Sequence, residues 1–400
     1  MKINYVKRGN YVCKPGRVSL RYAFLLLIAF SSFCPVLFAQ STKQADWELG
    51  PFVKVDKVNP IMGALETTTF LSPISNKLIK WEEKDVFNPT ALVKDGKAYL
   101  LYRAEDKVGK LAGTSRIGLA YSTDGLHFTR ESKPVFYPDN DAFKKYEWEG
   151  GTEDPRVVQD AAGTYYMTYS AWEGTNSYMS IASSKDLRKW TKHGPVFAKA
   201  AGGKYLKVWA KSGAIVSKLV GSKMVAQKIN GKYWMYWGDT HIFLATSADL
   251  VNWTPVAYQP GEKRNEKVQS IYLDIKPVFG PRDGKFDSDL VEPGPAPMIT
   301  DKGILLIYNS RNSENKAKSD SSLAPATYSA GQILLDKNDP SKVLERCENY
   351  FITPDKDFEI NGQVNRVCFV EGLIYYKNNW FLYYGTADSK IAVAVFNPTL

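Results

Sequence analysis

The sequence predicts an all-β protein, a five-bladed β-propeller. A unit recurs along the chain: a glycine turn, a short aromatic strand, a second strand of small and apolar residues, then Asp-Leu-x-x-Trp. No segment keeps a helical period for more than a turn or two, and five such units are present. Hairpin blocks that repeat in this way fit a propeller better than a sandwich, whose strands do not recur as a block.

The first unit runs from Gly96-Lys97-Ala98-Tyr99-Leu100-Leu101-Tyr102 through Ile117–Ser122 to Asp124-Gly125-Leu126-His127-Phe128. The second runs from Gly163–Tyr169 through Met179–Ser184 to Asp186-Leu187-Arg188-Lys189-Trp190, and the third from Gly231–Trp237 through Ile242–Ser247 to Asp249-Leu250-Val251-Asn252-Trp253. The three aspartates are 62 and 63 residues apart. Weaker copies lie at Gly303–Tyr308 with Ser329–Leu335, and at Asn379–Tyr384 with Ile391–Val395. Short alternating and aromatic runs bounded by Gly, Asn or Asp are hairpin material. Phe52-Val53-Lys54-Val55-Asp56 precedes the first full unit and is expected to supply the strand that closes the ring. Most strand Tyr and Trp side chains then form the core between blades.

The 400 residues are 44% hydrophobic and 24% charged, an ordinary globular composition. The formal charge of +10 is localised, because residues 1–39 hold six bases and no acid, leaving +4 for the rest. That excludes a polybasic nucleic-acid binder. The basic stretch ending at Arg21 and the apolar run from Tyr22 to Ala39 have the order of a secretory signal, with cleavage after Ala39 and export to the periplasm or beyond. The run is at the short limit for a membrane anchor and is broken by Ser31-Ser32 and Pro35. Ser31-Ser32-Phe33 fits poorly as a lipidation signal before Cys34. Residues 40–400 then form one catalytic domain with two cysteines, Cys347 and Cys368, which either pair or stand as separate half-buried strand residues. There is no CxxC, and His127, His193 and His241 are too scattered for zinc. No metal or cofactor is expected.

In a propeller the innermost strands converge on the axis, so polar residues at their mouths share one funnel. Gly150-Gly151-Thr152-Glu153-Asp154-Pro155-Arg156-Val157-Val158 is the strongest such cluster. Matching positions hold Phe87-Asn88-Pro89, Ala210-Lys211-Ser212-Gly213 and Val291-Glu292-Pro293-Gly294. The ends of the next strands supply Arg103, Glu105 and Asp106, then Trp172 and Glu173, then Asp239, then Asn309 and Arg311, with Asp388 beyond the last. Convergent carboxylates with Asn, Arg and Trp suit a pocket that binds sugar and handles a glycosidic bond.

Phe87-Asn88-Pro89, Tyr102-Arg103-Ala104-Glu105-Asp106, Glu153-Asp154-Pro155-Arg156, Lys211-Ser212-Gly213 and the repeated Asp-Leu-x-x-Trp resemble glycoside hydrolase family 130. The resemblance runs from about residue 50 to 398. It implies a five-bladed propeller acting on β-mannosides, either as a phosphorylase or as a β-1,2-mannosidase. It implies Asp154 as general acid, its proton reaching the leaving oxygen through a hydroxyl of the mannosyl ring. Asn88, Arg103, Asp106 and Asp388 match sugar-contacting positions. Glu153, Arg156, Trp172, Lys211 and Lys228 complete the expected substrate-binding set.

Phosphorylases need a cationic cradle for inorganic phosphate. Those of this family typically carry an Arg after the second blade's aromatic strand and a His-Arg pair after the third. Here those places read Trp172-Glu173-Gly174-Thr175-Asn176-Ser177 and Tyr236-Trp237-Gly238-Asp239, leaving Lys211 and Lys228 as the cations. An anionic pocket suits water, activated by Asp239 or Glu292. Export also favours hydrolysis, since a sugar phosphate conserves energy only where a cell can metabolise it. The expected activity is therefore an inverting β-mannosidase on β-1,2-linked manno-oligosaccharides, with phosphorolysis to mannose 1-phosphate as the alternative. A non-catalytic carbohydrate-binding propeller, an arabinan- or fructan-active propeller and a protein-interaction propeller fit the acid cluster less well. The polar stretches 261–270 and 313–323 are expected to shape the leaving-group side.

Overall fold

The computed structural model describes residues 44–264 and 274–399, so the leader, its cleavage point and Cys34 lie outside the described residues. Asp85–Lys94, Lys97–Glu105, Ser115–Ser122 and Thr129–Arg130 make blade one. Gly151–Gln159, Tyr165–Trp172, Ser177–Ser184 and Trp190–Pro195 make blade two. Blade three has a short inner strand, Ala214–Ile215, followed by Lys232–Trp237, Ile242–Ser247 and Trp253–Pro255. In blade four Leu290–Pro293 and Met298–Ile299 both pair with Ile304–Arg311, and Tyr328–Leu335 and Val343–Arg346 follow. Blade five is Cys368–Tyr376, Asn379–Thr386 and Lys390–Phe396. Its fourth strand is Val53–Lys54, paired antiparallel with Val395 and Ala394, so the expected closing strand is present.

Burial follows the repeat. The five apolar clusters are the five seams between neighbouring blades: Leu101, Leu119 and Met167 between one and two; Ile181, Met235 and Trp237 between two and three; Leu244, Leu306 and Tyr308 between three and four; Ile307, Val370 and Leu382 between four and five; Ile374, Val93 and Leu100 between five and one. Cys347 and Cys368 fall in different seams and are free, so they do not pair. No helix among the described residues is long and apolar enough to cross a membrane.

The recurrent Asp-Leu-x-x-Trp is a turn device. Asp186 accepts the N–H groups of Arg188 and Lys189, while Trp190 Nε1 donates to Leu187 O at 2.9 Å. Asp249 and Trp253 repeat the pattern. The turn needs a left-handed residue after the aspartate, at φ 71° for Leu187 and 67° for Leu250. Blade one has Gly125 there, which adopts that region without a Cβ penalty.

A second repeated device was not apparent in the sequence. In four blades a tyrosine of the second strand donates to a carboxylate just ahead of the inner strand, and a cation from the fourth strand pairs with that carboxylate. The sets are Tyr102, Glu82 and Arg130; Tyr169, Glu147 and Lys192; Tyr308, Asp287 and Arg346; and Tyr384, Glu359 and Lys54. The four carboxyl side chains are at most 1% exposed, so each relies on the donor and the cation that meet it. A small residue faces each tyrosine across the ladder: Gly118, Ser180, Gly331 and Ala392. A Cβ on Gly118 would stand 2.3 Å from the Tyr102 ring. Blade three lacks the set: Trp237 stands in the tyrosine's place, opposite Phe243 rather than a small residue, and the fourth strand has Pro255 where blades one and two have Arg130 and Lys192.

Lys54 ties the closing strand to Glu359 at 2.6 Å and to Asp355 at 2.5 Å. Removing one partner of a buried pair typically costs about 3 kcal/mol or more, whereas replacing both by apolar groups is far milder. K54M is therefore expected to lower unfolding stability by about 3 kcal/mol, and K54M/E359M by clearly less. Urea unfolding of both variants checks this; a single variant as stable as wild type would show that the latch does not hold the ring.

Candidate active site

The axial ends of the inner strands open into one cleft of about 230 Å³. It is lined by Asn88, Arg103, Asp154, Lys211, Asp239, Glu292 and Asp388, and by Leu290, Tyr328, Val364, Val367 and Phe369. Bulges aim the polar residues inward. The ladder slips between Phe87 and Pro89 and between Glu153 and Arg156, and Asn88 and Asp154 sit in those slips at φ 46° and 50°. Ser212 and Asp388 are also left-handed, at 56° and 50°. Non-glycine residues rarely take this conformation without a local structural demand, and such strain concentrates at functional sites.

Arg103 is the electrostatic centre of the cleft. Its guanidinium reaches Glu105 at 2.7 Å, Glu153 at 2.9 Å and Asp154 at 3.3 Å, and its Nε donates to Ser115. Burial alone would push the Asp154 carboxyl up; Arg103, Lys211 and the 3.0 Å hydrogen bond from Asn88 outweigh it and hold it below the usual range. Burial pushes Glu292 up from 4.5 to about 8, and the Asp239 charge adds to the effect. Burial likewise raises Asp388 to about 7, against the pull of Arg103. Asp239 accepts a 2.6 Å hydrogen bond from Trp209 Nε1, and Trp172 packs edge-on against Trp209.

Seven of the expected residues thus meet in the cleft: Asn88, Arg103, Asp154, Lys211, Asp239, Glu292 and Asp388. Glu153, Arg156 and Trp172 stand behind its wall rather than in it. Arg156 is 3% exposed and bonds the carbonyls of Pro293 and Gly294, so it braces the site instead of touching substrate. Asp106 lies outside the cleft, where it pairs with the buried Arg116 and accepts the N–H groups of Val108, Gly109 and Thr114. Lys228 is exposed on a peripheral strand, its ammonium over the Tyr233 ring, and takes no part. Asp106 and Lys228 thus fall a residue or a strand away from the axial end.

Tyr328 and the apolar wall of Val364, Val367 and Phe369 were missed. Tyr328 opens the third strand of blade four just as Ser115 opens that of blade one, so third-strand starts also reach the mouth. Of the two polar stretches, 265–270 lies outside the described residues. In the other, Asn312 at the base of the loop is buried and donates to Asp320, Leu323 and Ala324 carbonyls, which makes the loop self-supporting. Among the described residues no group of His, Cys, Asp and Glu could hold a metal ion.

The raised Glu292 has a stability consequence. Below pH 4.5 the group is protonated in both folded and unfolded chains; between 4.5 and about 8 only the unfolded chain ionises, so the folded state loses stability as pH rises. Glu292→Gln removes that loss. Its melting temperature is expected to exceed that of the wild type at pH 8 and to match it near pH 4.5, as thermal unfolding at the two pH values would read. An equal effect at both would mean that Glu292 ionises normally.

The match to known proteins agrees with this geometry. Residues 57–398 match the Glyco_hydro_130 family model, described as β-1,4-mannooligosaccharide phosphorylase. A 1,2-β-oligomannan phosphorylase of Thermoanaerobacter sp. (strain X514) is 30% identical over 325 residues, which is 79% of this chain and 91% of that protein. A glycosyl hydrolase from Bacteroides ovatus is 46% identical in its crystal structure, with a TM-score of 0.83 over 90% of this chain and 97% of the other. Another solved structure, 47% identical with a TM-score of 0.83 over 89% and 96% of the two chains, comes from work describing glycoside hydrolases within this family of mannoside phosphorylases that target β-1,2 mannosidic linkages in Candida mannan. With the model matched over nearly the whole described propeller, the chain belongs to glycoside hydrolase family 130.

Proposed function

We propose that this protein is an exported inverting β-mannosidase that cleaves β-1,2-mannosidic bonds with water as nucleophile. The observation that carries this reading is the state of the cations. Arg103 is spent on Glu105, Glu153 and Asp154, and Arg156 on two carbonyls and Glu371. Arg311 at the rim is spent on Asp289. Lys211 remains, facing Glu153 and Asp154, in a cleft whose lining holds four carboxyl groups. A phosphate dianion needs several uncommitted cationic donors, and the Asp239 carboxylate in the same lining opposes its binding.

In this reading Asn88, Arg103 and Asp388 hold the terminal mannosyl unit against the apolar wall of Val364, Val367 and Phe369. Asp154 supplies the proton for the leaving oxygen through a mannosyl hydroxyl, as the family resemblance implies. A donor must be protonated, and a sugar seated over Asp154 removes its remaining water, which strengthens the burial that already pushes its carboxyl up. Water attacks C1 from the opposite face while the C1–O bond breaks, and its proton passes to a carboxylate. Asp239 and Glu292 are the two candidates for that carboxylate, and Glu292, which burial raises to about 8, takes the proton only where it is ionised.

Phosphorolysis is the second reading, and the curated relatives favour it over hydrolysis. They are named as β-1,2-mannobiose, 1,2-β-oligomannan and β-1,4-mannooligosaccharide phosphorylases, at 24–30% identity. The hydrolase description attaches to the more similar solved structure, at 47%.

Incubating the protein with β-1,2-mannobiose, with and without inorganic phosphate, separates the two. Free mannose at equal rates in both is expected; mannose 1-phosphate formed only with phosphate would establish the second reading. Asp154→Asn is expected to lower turnover by about 10²–10⁴-fold in either case, and a variant that keeps wild-type turnover would remove Asp154 as the acid.

A further inference from the structure

Arg156 lies beneath the cleft with its guanidinium reaching into three blades. Its own inner strand belongs to blade two. Nε donates to Gly294 O at 2.9 Å and Nη2 to Pro293 O at 2.7 Å, the two carbonyls that directly follow Glu292 in blade four. Nη1 reaches Asp154 O at 3.3 Å. Nη2 also stands 2.9 Å from Glu371 Oε1 of blade five.

Glu371 is fully buried and unused by the proposed chemistry. It occupies a slip of the blade-five ladder between Val370 and Gly372, the counterpart of the slips that hold Asn88 and Asp154. Asn309 clasps the adjacent Val370 by both its N–H and its C=O, at 2.7 and 3.0 Å, which fixes Glu371 against blade four. Gly294 is equally constrained, since a Cβ there would lie 2.9 Å from Ile307 O and 3.0 Å from Val370 O. The segment after Glu292 is thus pressed between blades, and the guanidinium is its polar anchor.

We propose that Arg156, oriented by Glu371, is a positioning residue that sets the separation between the carboxyl groups of Asp154 and Glu292 across the axis. One planar fork holds the Asp154 carbonyl and the two carbonyls that follow Glu292, so acid and base cannot drift apart as the blades that carry them move. Lysine cannot replace it, because a single ammonium does not span three directed acceptors. The inference rests on the acid and base roles proposed above, but the geometric part of its test does not.

The test uses R156K, E371L and E371Q in the full protein, with kcat and KM on β-1,2-mannobiose and crystal structures of each variant. A displacement of about 1 Å in a catalytic group costs about 10²-fold in rate. R156K is therefore expected to lose about 10²-fold in kcat with KM nearly unchanged, and to show an altered Asp154–Glu292 separation. E371L should lose kcat in the same manner, and E371Q, which keeps a carbonyl oxygen for the guanidinium, should lose less. Unchanged carboxyl separation in the variant crystals overturns the proposal, as does a kcat that falls only in proportion to the folded fraction. If R156K does not fold, the two Glu371 variants decide by the same criteria. A wild-type protein that cleaves no mannoside sinks the proposed function alone, because the carboxyl separations still decide this inference.

Discussion

Four carboxylates almost sealed from water, Glu82, Glu147, Asp287 and Glu359, set the terms on which the blades are assembled. Each must find a phenolic donor and a cation, since an unpaired buried charge is far too costly to retain. The donor comes from the second strand and the cation from the fourth, so the requirement reaches across a blade from its middle to its rim. It also fixes the loop ahead of the inner strand, and that loop determines where the inner strand enters the axis. The catalytic cleft is made of those entries, so its geometry depends on a set of buried ion pairs at some remove from it.

The same rule governs the cleft. Arg103 pairs with three carboxylates at once, and with Lys84 on Glu105 and Lys211 facing the other two it lets Glu105, Glu153 and Asp154 crowd together. At Glu292 and Asp388 burial outweighs the nearby cations, and both hold their protons to higher pH. Carboxyl groups of opposite tendency thus share one cleft, and a bound sugar has to raise Asp154 before it can act as the proposed acid.

Much of this was legible in the sequence. The 62- and 63-residue spacing of the aspartates reported the blades, because Asp-Leu-x-x-Trp folds into one self-contained turn whose hydrogen bonds are all local. Asn88, Asp154, Lys211 and Glu292 were found because the inner strands share a mouth. Asp106 and Arg156 misled, since polarity near that mouth does not distinguish a side chain aimed at the axis from one aimed into the wall. A one-residue slip in the ladder decides the direction. The Tyr–acid–cation sets were not read because their members lie about 20 to 60 residues apart within four of the blades' loops and strands, and Lys54 lies 305 residues from Glu359. Blade three, where Pro255 replaces the cation, blurs the pattern further.

The partnership of Val53 with Val395 bears on the protein's biogenesis. Blade five needs a strand made near the beginning of translation and three made at the end. Until Val395 has emerged, the first strand has no ladder to join, and Lys54 has no Glu359 to meet. Blades one to four can pack in the order in which they are synthesised, each against its predecessor, while the seam between five and one stays open. Closing it ties together almost the whole chain, and loop-closure entropy rises only slowly with loop length. The nascent protein therefore carries an open apolar seam for nearly the full time of its synthesis, a window in which a holdase would find it unfinished.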